Sequence, residues 1–404
     1  MKEPGAWPAA LLCGALLACQ APPSVVPGPV AATHCEAAGE VEHSIFLVGD
    51  AGAPRLPAHA EAELPVDPVL LALRSDVFEQ VGQLGVDRVS VVYLGDNVYP
   101  RGLVPAGEAS RRHGERVLRA LITAASPARV VFVAGNHDWD IQGAHGWEHV
   151  RAQAAFLAQQ GKRVAMLPPG GCAGPERIDF GTHLGMVLID PIGFSHARDY
   201  PEVHAAVCPH ATAREAFLAL SAQFDAPSDR HLVLALHYPL ITSGPHGGHF
   251  SWKQHIFPLT DFVPWLWLPL PLLGSVYPLA RELGVTGTDV THEAYRAWIQ
   301  GIFRATRPGS PLLFASGHEH SLQLHRDGIG TYYAVSGAGS TRRVDRVEPL
   351  DTAMFALSAP GYMRLDSHAN GALGLNVLVA RDGEYSEPVL RHCLADGPAS
   401  ERVE

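Results

Sequence analysis

No cluster of Lys or Arg occurs anywhere in the 404 residues, and acidic side chains outnumber basic ones, 41 to 30, for a formal net charge of −11. General binding to nucleic acid or to anionic headgroups is thereby excluded, because both need grouped cations. Also absent are GxSxG, GxxxxGK[ST] and CxxC, which excludes a serine nucleophile elbow, a P-loop and a dithiol pair. No internal repeat at solenoid spacing is present. Nor is there an unbroken apolar run of membrane-spanning length. The most apolar stretch, DFVPWLWLPLPLLGSVYPLA from Asp261 to Ala280, is interrupted by Pro264, Pro269, Pro271 and Pro278, and proline inside a helix removes a hydrogen bond and clashes with the preceding turn. That stretch reads either as an apolar lid or interfacial loop that rests on lipid or receives a greasy substrate, or as an insertion folded back onto its own domain. The second is preferred, since large exposed apolar patches are rare.

What is present is a chain 47% hydrophobic, ample for a packed core. Short apolar runs recur, each closed by Gly, Asp, Asn or Pro: SIFLVGD, VSVVYLGD, RVVFVAGN, HLGMVLIDP, HLVLALHYP, PLLFASGHEH and TYYAVSGAG. Continuous hydrophobicity over so few residues predicts strands buried on both faces. Helical patterns lie between them, over Val69–Leu84, Arg111–Ala125, His149–Gln160, Thr212–Phe224 and Thr291–Thr306, and residues 352 to 379 predict further strands. Strand, helix, strand repeated predicts one layered α/β domain.

The N-terminus reads as an export signal over residues 1–18. Leu16-Leu17-Ala18-Cys19 is similar to the lipobox of bacterial lipoproteins, in which the Cys is lipidated, and a Pro-rich tether over residues 19–43 follows. The alternative is an ordinary cleaved signal. With Cys13 removed and Cys19 lipidated, Cys35, Cys172, Cys208 and Cys393 remain. An even count in an exported chain predicts two disulfides with three connectivities. Cys35–Cys393, which ties the ends of the domain, with Cys172–Cys208, which staples a loop excursion, is the favoured set. Four reduced, buried thiols are the alternative for a chain that stays inside.

Five of the strand ends carry metal-ligand side chains: Asp50 in LVGDAG, Asp96 and Tyr99 in LGDNVY, Asn136 in AGNHD, His237 in ALHYP, and His318 and His320 in SGHEH. Loops at the carboxyl ends of parallel strands converge on one crevice, so residues distant in sequence meet there. Asp, Tyr, Asn and His together describe a mixed oxygen and nitrogen site. Each signal alone has a local explanation, as a turn or a cap; their joint occurrence in this order does not.

From about Ser44 to Gly339 that order resembles the calcineurin-like metallophosphoesterases, and within them the purple acid phosphatases of the small tartrate-resistant type. Most of the superfamily carries Asp-x-His first, but here the sequence is Asp50-Ala51-Gly52; purple acid phosphatases make the same exchange and place a tyrosinate at the position of Tyr99. The resemblance implies two central mixed β-sheets flanked by helices in one domain over residues 44–395. It further implies two metal ions, Fe(III) with Fe, Zn or Mn, one held by Asp50, Tyr99 and His320, the other by Asn136, His237 and His318, with Asp96 bridging. A hard anionic set suits Fe(III), and an amide with two imidazoles suits a divalent ion. The implied reaction is hydrolysis of phosphate monoesters by metal-bound hydroxide. His137 is the expected proton donor to the leaving group, with Asp138 either orienting it or capping the next turn. His246 is expected to contact the phosphate or the leaving group, although Pro245 stands where the mammalian-type enzymes have an acid. His145, His149, His249 and His255 read as ordinary loop or helix-surface residues more readily than as the rim of the site.

The expected partner is a small-molecule or lipid-linked phosphate. A phosphodiesterase, or a polyphosphate or nucleotide hydrolase on the same scaffold, is the alternative inside the enzyme class; a non-catalytic, surface-anchored binding lipoprotein is the alternative outside it, and predicts lost ligands. The anchor is tested directly: Cys19→Ser should move the protein from the membrane to the soluble fraction on cell fractionation, and continued membrane association refutes lipidation at Cys19.

Overall fold

The computed structural model describes residues 35, 39–57, 66–195, 206–225, 229–261, 263, 265–381 and 385–397. The export signal, Cys19 and most of the tether lie outside the described residues.

Chain order begins with β1 (Val41–Val48), α1 (Pro68–Leu84), β2 (Val89–Leu94), α2 (Arg111–Ala125), β3 (Arg129–Val133), α3 (Gly146–Ala158) and β4 (Val164–Met166). There follow β5 (Glu176–Phe180), β6 (Leu184–Leu188), α4 (Ala213–Asp225), β7 (His231–Ala235), α5 (Trp252–Ile256), α6 (Leu273–Glu282), α7 (Glu293–Ala305), β8 (Leu313–Ser316), β9 (Leu322–Arg326) and β10 (Tyr332–Ser336). The chain closes with β11 (Ala353–Leu357), β12 (Gly361–His368), β13 (Ala372–Arg381) and β14 (Tyr385–Asp396). Two seven-stranded sheets result, in the orders β14-β13-β12-β1-β2-β3-β4 and β11-β9-β10-β8-β7-β6-β5. In the first, β1 to β4 run parallel and β12 to β14 antiparallel. In the second, β6, β7, β8 and β10 run parallel. Both are mixed sheets, and helices flank them.

Alternation along each strand explains the layering. Ile45 and Leu47 of β1, with Val92, Leu94, Val131 and Val133, pack on Met186, Leu188, Val233, Ala235 and Leu313 of the other sheet. Their neighbours Phe46, Val48, Val91, Tyr93 and Phe132 point the opposite way, into Leu70, Leu73, Val117 and Leu121 of α1 and α2. A third cluster joins Leu234 and Phe314 to Leu220 and Phe224 of α4 and Ile302 of α7. Each sheet is therefore buried on both faces, which is why its strands read as continuous apolar runs.

Helix ends fall where capping chemistry puts them. Asp67 accepts a hydrogen bond from the Val69 amide, Pro68 takes the first helical position, and Gly85 ends α1 at a positive φ of 91°. The first strand starts at Val41, three residues before the apolar run that begins at Ser44. β14 was not predicted, because its outer residues alternate between exposed and buried along a sheet edge instead of forming an apolar run. Both favoured disulfides are present, with Cα separations of 5.0 Å for Cys35–Cys393 and 5.5 Å for Cys172–Cys208. Among the described residues no helix is long and apolar enough to cross a membrane.

The 261–280 insertion differs from the expectation that it buries its own apolar surface. Pro278 lies inside α6, where only Gly274 and Pro278 are buried, while Trp265, Trp267, Leu272, Leu273 and Val276 stay exposed.

One buried imidazole sets an acid limit on the fold. Burial pushes His43 down to about 4 from 6.5, and its Nε2 sits 3.1 Å from the Ser90 hydroxyl. Between pH 6.5 and 4 the unfolded chain therefore binds a proton that the folded chain refuses, so stability falls as pH is lowered through that window. His43→Gln should flatten the acid limb of a denaturant-midpoint profile by at most about 3 kcal/mol; an unchanged limb refutes the assignment.

Candidate metal centre

The five motifs follow strands that run parallel in their sheets: β1, β2 and β3 in one, β7 and β8 in the other. Asp50, Asp96 and His318 take positive φ values of 60°, 55° and 69°, a conformation costly for residues with a Cβ. It turns the chain sharply back, so that each side chain faces the crevice between the sheet ends. Glycines admit the close packing this requires: a Cβ on Gly135 would meet Asp96 Oδ1 at 2.2 Å, and one on Gly95 would meet the His237 ring at 2.4 Å.

All seven expected ligands come together. Tyr99 Oη lies 3.0 Å from Asp50 Oδ1, 3.0 Å from Asp96 Oδ2 and 3.3 Å from His320 Nε2. On the other side, His237 Nε2 lies 3.0 Å from Asn136 Oδ1 and 3.4 Å from Asp96 Oδ1, and ligand atoms of Asp96, His237 and His318 lie within 4.8 Å of one another. Asp96 thus turns one oxygen to each group.

The three imidazoles are held in a common way. His237 Nδ1 is 2.8 Å from the Leu94 carbonyl, His318 Nε2 is 2.8 Å from the Thr288 carbonyl, and His320 Nδ1 is 2.8 Å from Asp345 Oδ2. In each neutral ring the pinned nitrogen donates its proton, which leaves the other with a bare lone pair. Burial keeps His237 and His318 below the usual imidazole range, His318 far below. His320 differs: burial opposes its charge, but Asp345 lifts it to about 9. Burial raises Asp50 well above the carboxylate range, and raises Tyr99 together with the charges of Asp50 and Asp96. Buried without a cation, Asp50 and Tyr99 therefore keep their protons, because the negative charge they would otherwise carry has nothing to balance it. Such a ligand set is costly when buried and is relieved by cations in two oxygen- and nitrogen-lined positions. The residues fit a pair of metal ions.

His137 sits beside this cluster, its ring centroid 4.2 Å from that of Tyr99. Its Nδ1 is 2.6 Å from the Pro100 carbonyl, and its Nε2 is 3.8 Å from Asp96 Oδ2. Asp138 does not orient it. The Asp138 carboxylate is wholly buried and accepts from the amides of Asn97, Val98 and Gly135 and from the Asn97 side chain. It fastens the loop after β2 to the loop after β3, with no face left for a substrate. The His246 ring lies tilted by 46° against that of His318, with centroids 4.0 Å apart. The acid lost at Pro245 is replaced by two carboxylates from elsewhere: Asp289 Oδ1 lies 3.0 Å from His246 Nδ1, and Glu319 Oε2 accepts from the His246 amide at 3.0 Å. Arg281 in turn pairs with Asp289. His145, His149, His249 and His255 stay away from the cleft; His149, for instance, is bonded to the Arg101 carbonyl at 2.6 Å.

A cleft of about 660 Å³ opens over the cluster, lined by Asp96, Asn136, His137, His246, His318 and His320 on its floor and by Phe250, Tyr277, Arg281 and Arg343 on its walls. The Arg343 guanidinium lies 4.2 Å from the centroid of the Tyr99 ring. Thr288, Asp289, Asp345, Arg281 and Arg343 escaped the sequence reading, since each reaches the site from a loop or helix with no motif of its own. Glu319 was inside GHEH and its buried position was the missing clue.

No family model and no curated protein matches the chain. Among solved structures it is similar to GAP50, the anchor in the inner membrane complex of Plasmodium, at 15% identity and a TM-score of 0.49, covering 88% of this chain and 89% of that one. It is also similar to the purple acid phosphatase PPD1 from yellow lupin, at 13% identity and a TM-score of 0.48, covering 88% and 54%. A dimetal phosphatase from Danio rerio matches at 13% identity and a TM-score of 0.46, covering 89% of this chain and 100% of that one. At such identities and TM-scores the likenesses carry no weight for the chemistry, which rests on the ligand geometry.

Because Asp345 holds the His320 ring from outside the cluster, Asp345→Ala should weaken retention of one metal ion by about 10- to 100-fold, read as metal per protein after dialysis against graded chelator. Retention equal to that of the unaltered protein would refute the role.

Proposed function

We propose that this chain is a binuclear-metal phosphoesterase acting on phosphate monoesters. The observation that carries the reading is the set of three imidazoles, each pinned at one nitrogen: the other nitrogen of His237 faces Asn136 and Asp96, that of His320 faces Asp50, and His318 gathers with Asp96 and His237 within 4.8 Å. Asp50, Tyr99 and His320 would hold Fe(III), and Asn136, His237 and His318 a divalent ion, with Asp96 between them. Two such ions supply an activated water, orient the phosphate and neutralise charge on its non-bridging oxygens.

The protein's own groups do the rest. With Nδ1–H given to Pro100, the His137 ring presents Nε2 to the cleft, where it carries a proton to the leaving oxygen. His246, set by Asp289, contacts the phosphate. Hydrolysis breaks the bond between phosphorus and the ester oxygen, water supplies the replacement oxygen, and alcohol and orthophosphate leave. Two disulfides in so small a set of cysteines favour an exported protein, and lipid attachment at Cys19 would hold it at a membrane.

Protein purified from its own host should contain two metal ions per chain and turn over p-nitrophenyl phosphate. His137→Ala should lower kcat by about 10² to 10⁴ with metal content unchanged. A folded, metal-free and inactive protein would instead favour the binding lipoprotein, and equal loss of metal and turnover in the variant would make His137 structural.

A further inference from the structure

The cleft changes character from floor to mouth. Beside the ligand cluster lie the guanidiniums of Arg343, over the Tyr99 ring, and of Arg281, against His246, and Arg346 also lines the cleft. Towards solvent its wall is Phe250, Pro258, Tyr277 and Pro278. Tyr277 belongs to both environments, lining the cleft yet 58% exposed. Counted from Leu273 on α6, Val276 and Tyr277 are the i+3 and i+4 residues, the relation that puts each on the stripe of Leu273, and Val276 and Leu273 are 62% and 72% exposed. Leu272, which precedes α6, is 86% exposed, and Trp265 of the same insertion is 76% exposed. No charged residue occurs between Asp261 and Arg281.

The stripe is held rigidly in place. A Cβ on Gly274 would meet the His255 carbonyl oxygen at 2.3 Å, so α6 sits directly against α5. At its other end Arg281 pairs with the wholly buried Asp289 and donates to the Tyr277 hydroxyl at 2.6 Å. An exposed apolar face fixed at the mouth of a cleft whose lining holds Arg281, Arg343 and Arg346 beside a ligand cluster built for cations is complementary to one kind of molecule: a phosphate head attached to a long uncharged tail.

Resting on the phosphoesterase reading above, we propose that the substrate is an amphiphilic phosphate monoester, with its phosphate on the ligand cluster and its hydrocarbon chain leaving over Tyr277 along Val276, Leu273 and Leu272. The occupant of the α6 face is thus the substrate's own chain. Burial of each methylene against such a face lowers KM by about two- to fourfold, until the chain outruns the stripe.

The test is a series of n-alkyl phosphates from ethyl to decyl, each kept below its critical micelle concentration, with p-nitrophenyl phosphate as a reference. KM should fall with every added methylene, and Leu273→Asp with Val276→Asp should lower the ratio of kcat/KM for decyl over ethyl phosphate by at least tenfold. Being internal to one preparation, that ratio is insensitive to loss of folded enzyme. A flat series with p-nitrophenyl phosphate still hydrolysed overturns this proposal alone; failure to hydrolyse any ester overturns the reading beneath it. A dimer in sedimentation that the double variant dissociates, alongside a flat series, would assign the face to a second copy of the chain. Binding to neutral phosphatidylcholine vesicles that the double variant abolishes, again with a flat series, would assign it to the bilayer. Either result overturns the proposal.

Discussion

Each of three imidazole rings gives one N–H to an oxygen outside the cluster, to Leu94, Thr288 or Asp345, and everything at the site follows from where the second nitrogen must then point. A freely rotating histidine would satisfy itself with water or with a neighbouring carboxylate. A pinned one cannot: His237 Nε2 is left facing Asn136 and Asp96 oxygens at 3.0 and 3.4 Å and His320 Nε2 facing Asp50 at 3.6 Å, while His318 is gathered with Asp96 and His237 within 4.8 Å. Acceptor facing acceptor in a buried space is tolerable only with positive charge between them. The outer oxygens therefore decide what the inner site is for, although none of them would touch a metal.

That arrangement is supported by backbone held in conformations the residues resist. Asp50, Asp96 and His318 in the left-handed region cost about 1–3 kcal/mol each, offset by the sheets behind them. Strands β1, β2, β3, β7 and β8 are almost wholly buried, so their ends cannot relax without disturbing the core. Each turn is also cross-braced: the Asp50 amide donates to the Gly95 carbonyl and the Gly317 amide to the His237 carbonyl, while Asp50 Oδ2 accepts from the His318 amide at 2.6 Å. Motifs from separate sheets thus constrain one another before any ion is considered.

The same physics explains what was readable in the sequence. Buried parallel strands must be apolar throughout, and the residue that turns off such a strand must be Gly, Asp or Asn or carry a special role, so Asp50, Asp96, Asn136, His237 and His318 stood out against their surroundings. Tyr99 was readable only through the resemblance to purple acid phosphatases, in which a tyrosinate goes with a glycine at the position of Gly52. The helices α1, α2, α3, α4 and α7 were located to within about three residues, since their periodicity is local, whereas α5 and the proline-containing α6 were not expected. The partners in loops were not readable. Asp345 reaches His320 from a loop that follows β10, and Asp289 reaches His246 across 43 positions; contacts of that range leave no pattern in either segment. Asp138 shows the converse error, a residue adjacent to His137 in sequence whose carboxylate is spent on Asn97, Val98 and Gly135.

The segment from α6 to α7 is where substrate wall and ligand support become one mechanical unit. Arg281 closes α6 and clamps Asp289; the neighbouring Thr288 carbonyl fixes the His318 ring, and the Val290 amide donates to the His246 carbonyl at 2.8 Å. A shift of α6 that widened the cleft would pull on Arg281, and through Asp289 on both histidines. Specificity at the mouth and ligand geometry at the floor consequently cannot be tuned separately here. An apolar insertion that looks dispensable in sequence is tied, through a few hydrogen bonds, to the imidazole on which the second metal position depends.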